Sequence, residues 1–205
     1  MPATYRIKEI FWTVQGEGAN AGTASVFVRF SGCNQWSGRE ADRSRGYADC
    51  ARWCDTDFYG GEAVGHAPLV SHIAAYREQA RLAVFTGGEP GLQLTAELVD
   101  AVSALGLRCA IETNGTVELP KAPLWVTVSP KGGKFPLVVT RGDELKLVYP
   151  QAGVQPSEVE HLAFGQFFLQ PRDNTPEHTR ACLEYIRRHP QWKLGVQVHK
   201  YIGVP

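Results

Sequence analysis

Apolar positions along this chain fall into two rhythms. Short runs rich in Val, Ile and Phe, Tyr5–Phe11 and Ala24–Ser31, have the composition of extended strands. Further runs at Leu82–Thr86, Arg108–Glu112, Leu124–Ser129, Glu144–Tyr149, Gln166–Gln170 and Lys193–Val198 predict more strands. Helical patterns lie between them. Pro68–Ala80 has its Pro in the first turn, where the missing N–H costs nothing. Thr95–Leu105 places Leu98, Val102 and Leu105 on one face, with Thr95 as N-cap and Gly106 as stop. Thr175–His189 has Thr175 as cap, Pro176 at its first position and Pro190 beyond its end. Residues 32–66 are polar, contain Gly and show no period. A loop of that length inside a compact domain is normally functional or disordered.

Strand–helix alternation predicts an α/β fold with a mainly parallel sheet. About six strand units make an open or partial β/α barrel and are too few for a closed eightfold one; a doubly wound sheet is the structural alternative. The length of 205 residues suits one domain over 1–205, with the loop at about 32–66 as an extension of it. The polar and Gly-rich segments follow the strands rather than precede them. Cys33 comes after Ala24–Ser31, and Gly87-Gly88-Glu89-Pro90 after Leu82–Thr86. Thr113-Asn114-Gly115, Pro130-Lys131-Gly132-Gly133, Pro171-Arg172-Asp173 and His199-Lys200 follow later strands in the same way. Parallel strands share one C-terminal face, and active sites lie there.

Composition narrows the classes. A hydrophobic share of 43% and a charged share of 20% are those of an ordinary globular protein. Lys plus Arg equal Asp plus Glu at 21 each, so nothing points to nucleic acid or to a membrane surface. The opening MPATYRIKEIFW lacks the apolar core and cleavage site of a secretory signal, and the expected location is the cytoplasm.

Five cysteines, an odd number, argue against a disulfide framework. Cys109 and Cys182 sit in apolar patterns and read as small buried hydrophobes. The other three form Cys33-x16-Cys50-x3-Cys54, followed by Asp55-Thr56-Asp57. Thiolates in such a loop bind zinc or an iron–sulfur cluster. A closed zinc site needs a fourth ligand, for which His66 and His72 are nearby in sequence. A cubane on three cysteines leaves one iron open. Arg29, inside an apolar strand and on the face of Phe27 and Ser31, is suited to gripping a carboxylate in bidentate fashion.

The runs FVRFSGCNQW, CARWCDTDF, FTGGEP, ETNGT, VSPK, FLQPRD and VQVHKYIGVP, with the opening FWTVQGEGANAG, together resemble the 7-carboxy-7-deazaguanine synthase family of radical S-adenosylmethionine (SAM) enzymes across essentially the whole chain. The resemblance implies a carbon–nitrogen lyase of the queuosine pathway with the partial barrel of the radical SAM type. It implies a [4Fe-4S] cluster on Cys33, Cys50 and Cys54, SAM on its open iron, and Mg²⁺ at Thr56. Gly88, Ser129, Pro130, Lys131, Gln170, Pro171, Arg172 and Asp173 would line the SAM site. Val14, Gln15, Gly16, Glu17, Arg29, Thr86, His199 and the carboxylate of Pro205 would surround the substrate, 6-carboxy-5,6,7,8-tetrahydropterin. A flavodoxin-type electron donor and a homodimer are implied as well. In the family the cysteines are spaced x3 and x2, or have an enlarged first gap; the x3 second gap here departs from both, and a local bulge is expected to absorb the extra residue.

Overall fold

The computed structural model describes residues 4–205; the first three residues, where the stretch read for a targeting signal begins, lie outside the described residues. The strands are β1 (Thr4–Val14), β2 (Ala24–Phe30), β3 (Glu62–Gly65), β4 (Leu82–Gly87), β5 (Arg108–Thr113), β6 (Trp125–Val128), β7 (Arg141–Tyr149), β8 (Ala163–Pro171) and β9 (Trp192–Leu194). The α-helices are α1 (His66–Ala74), α2 (Ala96–Ser103), α3 (Pro176–Arg188) and α4 (Val198–Ile202). All nine strands join one sheet in the order β3-β1-β2-β4-β5-β6-β7-β8-β9. From β2 through β9 every neighbouring pair is parallel, while β1 runs antiparallel to both β2 and β3. The end strands do not pair, so the barrel is open, as the strand count predicts.

Some bounds differ from the sequence pattern. Strand β3 lies in the stretch expected to be loop; it has only four residues, none of them buried. The first helix ends at Ala74, short of the expected Ala80, and turns fill the remainder. The alternation also lapses in the middle. No α-helix joins β5 to β6, β6 to β7 or β7 to β8, and only a 3-10 turn at Pro156–Glu158 interrupts the last of these connections. Loop side chains do the helix's work there. Leu137, Val139, Val154, Val159 and Leu162 pack with Val128, Leu145 and Leu147 on the outer face of the sheet.

The two faces of the sheet follow from two-residue alternation. Outward, Val26, Val28, Phe30, Phe85 and Ile111 form a core with Leu69 and Ile73 of α1 and Leu98 and Val102 of α2. A second outward core joins Leu145, Leu147 and Leu169 to Cys182 of α3 and to Trp192. Inward, the strands are apolar at one end and polar at the other. Leu82, Val84, Ala110, Phe27 and Trp125 close the floor. One or two steps further along the same strands stand Arg29, Thr86, Glu112 and Ser129, on the wall of a cavity. That gradient places the site at the strands' C-terminal ends. No helix among the described residues is long and apolar enough to cross a membrane.

Candidate active site

The cavity has a volume of about 500 Å³, within the range of small-molecule sites. Cys33, Cys50 and Cys54 all border it, as does Thr56. Cys33 lies three residues beyond the end of β2. Cys50 lies on a 3-10 turn, Asp49–Arg52, and the Cys54 N–H donates to the Cys50 carbonyl at 2.7 Å. The extra residue between these two cysteines is therefore taken up by one helical turn rather than by a bulge in an extended loop. Arg43 closes the loop from outside: its Nη1 donates to the carbonyls of Ala51 (2.8 Å) and Cys54 (3.1 Å), and its guanidinium lies over Trp36. Trp36, Ala51 and Phe58 form a small apolar shell packed against Cys33 and Cys54. Burial pushes the thiols of Cys33 and Cys50 up, to about 12 and about 11. A metal that binds thiolate must overcome that penalty.

The donor set fits a cluster better than a single ion. Zinc holds four ligands at about 2.0–2.3 Å around one point. Three thiols border the cavity together, the number that holds a cubane with one iron left open.

Loops after β4 and β5 are locked together beside the cysteines. Glu89 of the Gly-Gly-Glu-Pro run is fully buried and accepts from Thr113 Oγ1 (2.7 Å), Asn114 N (2.7 Å) and Gly91 N (2.8 Å). Asn114 in turn donates to Asn34, next to Cys33, at 2.9 Å. At Gly88 a Cβ would collide with the Gly32 carbonyl, so glycine is needed for two loops to pass as well as for a ligand to approach. Lys131 Nζ donates to Ser129 Oγ at 2.8 Å and lies 5.1 Å from the centre of the Trp53 ring.

Deeper in the cavity, charged side chains meet. Lys146, on β7, bridges Glu17 (2.5 Å) and Glu112 (2.8 Å). One cation cannot neutralise two buried carboxylates equally. Glu17 also accepts from Gln197 at 2.8 Å, and although burial pushes it up, Lys146 and these bonds bring it down to about 2. Glu112 accepts from Gln15 only at 3.4 Å; burial, partly offset by Lys146 and reinforced by the charge of Glu17, pushes it up to about 7. Glu144 is also raised by burial, and it accepts from Ala19 N at 2.8 Å. The Gln15–Gly18 loop is shaped around this group. Gly18 has φ +63°, and a Cβ there would strike the Glu144 carboxylate.

Arg29 faces the cavity with Phe27, as alternation requires. Its Nε donates to Glu9 at 2.6 Å and the guanidinium lies 5.6 Å from the Phe11 ring centre. His199 sits on α4, not directly after a longer β9, because that strand ends at Leu194. The α4 segment is tied down by Val198 N to Gly16 O (2.8 Å), Lys200 to Asp55 (2.7 Å) and Thr13 Oγ1 to Pro205 O (2.8 Å). Burial lowers the His199 imidazole, opposed by Glu17.

Of the residues expected at the site, Cys33, Cys50, Cys54, Thr56, Gly88, Ser129, Lys131, Gln170, Val14, Gln15, Gly16, Glu17, Arg29, Thr86, His199 and Pro205 all border this cavity. Pro130 borders a second one of about 330 Å³, and Pro171, Arg172 and Asp173 border neither. Glu112, Lys146 and Gln197 were missed. A signal for Lys146 existed in the alternation Glu144-Leu-Lys-Leu, charges on one face and leucines on the other; Gln197 carried none.

No family model matches the chain. It is 50% identical over 212 residues to the 7-carboxy-7-deazaguanine synthase of Bordetella pertussis, covering 98% of this chain and 99% of that protein. It is 33% identical over 226 residues to the 7-carboxy-7-deazaguanine synthase of Escherichia coli K12, covering 98% and 99%. The fold superposes on the crystal structure of QueE from Escherichia coli with a TM-score of 0.75 at 27% identity, covering 96% of this chain and 95% of that one.

Proposed function

The chain belongs to the 7-carboxy-7-deazaguanine synthase family, and on that premise we propose that it is a radical SAM lyase that converts 6-carboxy-5,6,7,8-tetrahydropterin to 7-carboxy-7-deazaguanine with loss of ammonia, in queuosine and other 7-deazapurine biosynthesis. The supporting observation is convergence: three cysteines from a long loop and the polar exits of the parallel strands border one cavity. When bound, a [4Fe-4S] cluster and SAM supply the 5′-deoxyadenosyl radical that abstracts hydrogen from the substrate.

The protein's own residues hold, orient and shield. Cys33, Cys50 and Cys54 are the cluster ligands in this reading. Gly88, Ser129, Lys131 and Gln170 take SAM, with Pro130, Pro171, Arg172 and Asp173 beside them at the same strand exits. Arg29 grips the substrate carboxylate: Glu9 occupies its Nε edge and fixes the plane, and the two Nη atoms form the fork. Val14, Gln15, Gly16, Thr86, His199 and Pro205 enclose the ring. Glu17, anionic through Lys146, accepts from the amino and ring N–H groups of the pterin. Glu112, raised by burial that Lys146 only partly offsets, is the group on this wall most readily protonated and would serve as a proton donor or acceptor to the ring. Thr56 offers a hydroxyl to Mg²⁺. Its neighbours Asp55 and Asp57 are paired with Lys200 and Lys8, which leaves substrate oxygens and water to complete the ion's shell. A flavodoxin-type reductant and a homodimer belong to the same reading.

The test is direct. Protein purified anaerobically, reconstituted with iron and sulfide and reduced, should turn the carboxy-tetrahydropterin into the deazaguanine acid in a SAM-dependent manner, followed by mass spectrometry. No product from a fully loaded enzyme rejects the reaction; a colourless protein holding one zinc rejects the cluster.

A further inference from the structure

Most polar side chains around the cavity have partners within the protein. Glu89, Asn34, Asn114 and Lys131 are all hydrogen-bonded. Gln35 is not. It lies two residues after Cys33, its side chain is completely buried, and it borders the cavity alongside Cys33, Trp36 and Cys50. Neither Nε2 nor Oε1 has a hydrogen-bond partner among the described residues. Leaving a buried polar group unsatisfied costs about 1–3 kcal/mol. An apolar side chain of the same shape would fill the space without that penalty.

The local fold does not need the amide. The backbone of Gln35 is already satisfied: its N–H donates to Cys33 Sγ at 3.4 Å and its carbonyl accepts from Tyr47 N at 2.7 Å. The backbone bond sets the residue beside one sulfur of the loop, that of Cys33. Sulfur in a cluster only accepts, and a primary amide carries two N–H donors. Trp36 and Phe58, edge to face at 5.4 Å, wall this corner with apolar surface, so few water molecules compete for the amide.

We propose that Gln35 donates a side-chain N–H to a sulfur of the cluster held by Cys33, Cys50 and Cys54, and that this bond raises the cluster's reduction potential. The proposal rests on the reading above that the chain carries such a cluster. Its physical basis is that reduction adds negative charge to the sulfurs, and a fixed donor stabilises the reduced form more than the oxidised one. Gln35 is thus a tuning residue rather than a ligand.

The test compares the full-length wild type with Gln35→Met, which keeps length and removes the donor. Both are reconstituted anaerobically without SAM and titrated electrochemically, with the reduced cluster read by electron paramagnetic resonance. The variant should bind as much iron and sulfide as the wild type. At the wild-type midpoint its reduced-to-oxidised ratio should fall about tenfold, a one-electron shift of about 59 mV to lower potential. Its apo form should melt no lower than apo wild type, because an unpaired buried amide has been removed. An unchanged midpoint with a full cluster overturns the proposal. So does an apo variant that melts well below the wild type, since the amide would then have a protein partner. Gln35→Leu repeats both measurements should Met fail to fold. A wild type that assembles no cluster overturns the proposal and the reading beneath it together.

Discussion

Strand β7 has two unlike faces. Glu144, Lys146 and Val148 look inward, with Lys146 and Val148 on the cavity wall, and Leu145 and Leu147 look outward into the core beneath α3. The cysteines divide in the same way. Cys33, Cys50 and Cys54 border the cavity, whereas Cys109 and Cys182 sit in the outer cores. Burial pushes thiols up on both sides, Cys33 and Cys182 each to about 12. Thiol acidity therefore does not separate Cys33 from Cys182. What separates them is whether the side chain faces open volume shared with other polar groups or close-packed apolar atoms.

The largest expected break in this comparison lies between cysteines. Cys33→Ala, Cys50→Ala or Cys54→Ala should abolish cluster assembly, with iron content and turnover at background, while Cys182→Ala should keep iron content and lose only folding stability. A Cys50→Ala variant that loads a full cluster would remove Cys50 from the ligand set. Next comes β7 itself. Lys146→Met strips the cation from two buried carboxylates and should cost about 3–5 kcal/mol. Leu147→Ala, one residue away on the other face, opens a cavity worth about 2–5 kcal/mol and should leave kcat unchanged in the folded fraction. Denaturant melts with parallel kinetics separate the two.

Proton linkage tests the inner face alone. Glu112 is raised from 4.5 to about 7, so the folded protein holds its proton more tightly than the unfolded chain does. That contribution is complete below about pH 4.5 and is lost as pH rises through about 7. Glu17 has the opposite sign: lowered to about 2, it stabilises above about pH 4.5 and ceases to do so as pH falls towards 2. Glu112→Gln should therefore gain stability relative to wild type between pH 5 and 8, by at most about 3 kcal/mol. A difference that stays flat with pH would mean that Glu112 does not carry the proton. The smallest effect is expected at Arg29. Arg29→Lys keeps the charge but loses the fork, and should raise KM for the pterin about tenfold, about 1.4 kcal/mol, with kcat nearly unchanged. An equal fall in kcat would place Arg29 in the transition state instead.

Much of this was legible in the chain. The strand exits at Cys33, Gly87-Gly88, Thr113-Asn114 and Ser129-Pro130-Lys131 could be read because alternation ends abruptly at polar residues, and all four exits border the cavity as a parallel sheet requires. The Gln15–Gly18 motif was visible, but its cause was not. Gly18 answers to Glu144, more than a hundred residues away, and no local pattern encodes that meeting. Glu89 looked like part of a ligand loop and proves to be the clasp between the β4 and β5 exits. The pattern offered no helix between the middle strands and none is there; what it did not show is that loop leucines and valines cover that face instead.

By itself, then, the sequence determined which residues could share a face, since a period of two is a local property of each strand, and which side chains carried the chemistry. Tertiary structure decided which of them meet. Glu17, Glu112 and Lys146 come from three separate parts of the chain and gain their opposed acidities only from being buried together. The cysteine loop has no period, so its course depends on contacts that Asn34, Tyr47 and Trp53 make with the loops after β5 and β6. Gln35 reads as one more polar loop residue until the fold buries it beside Cys33 with its amide unpartnered.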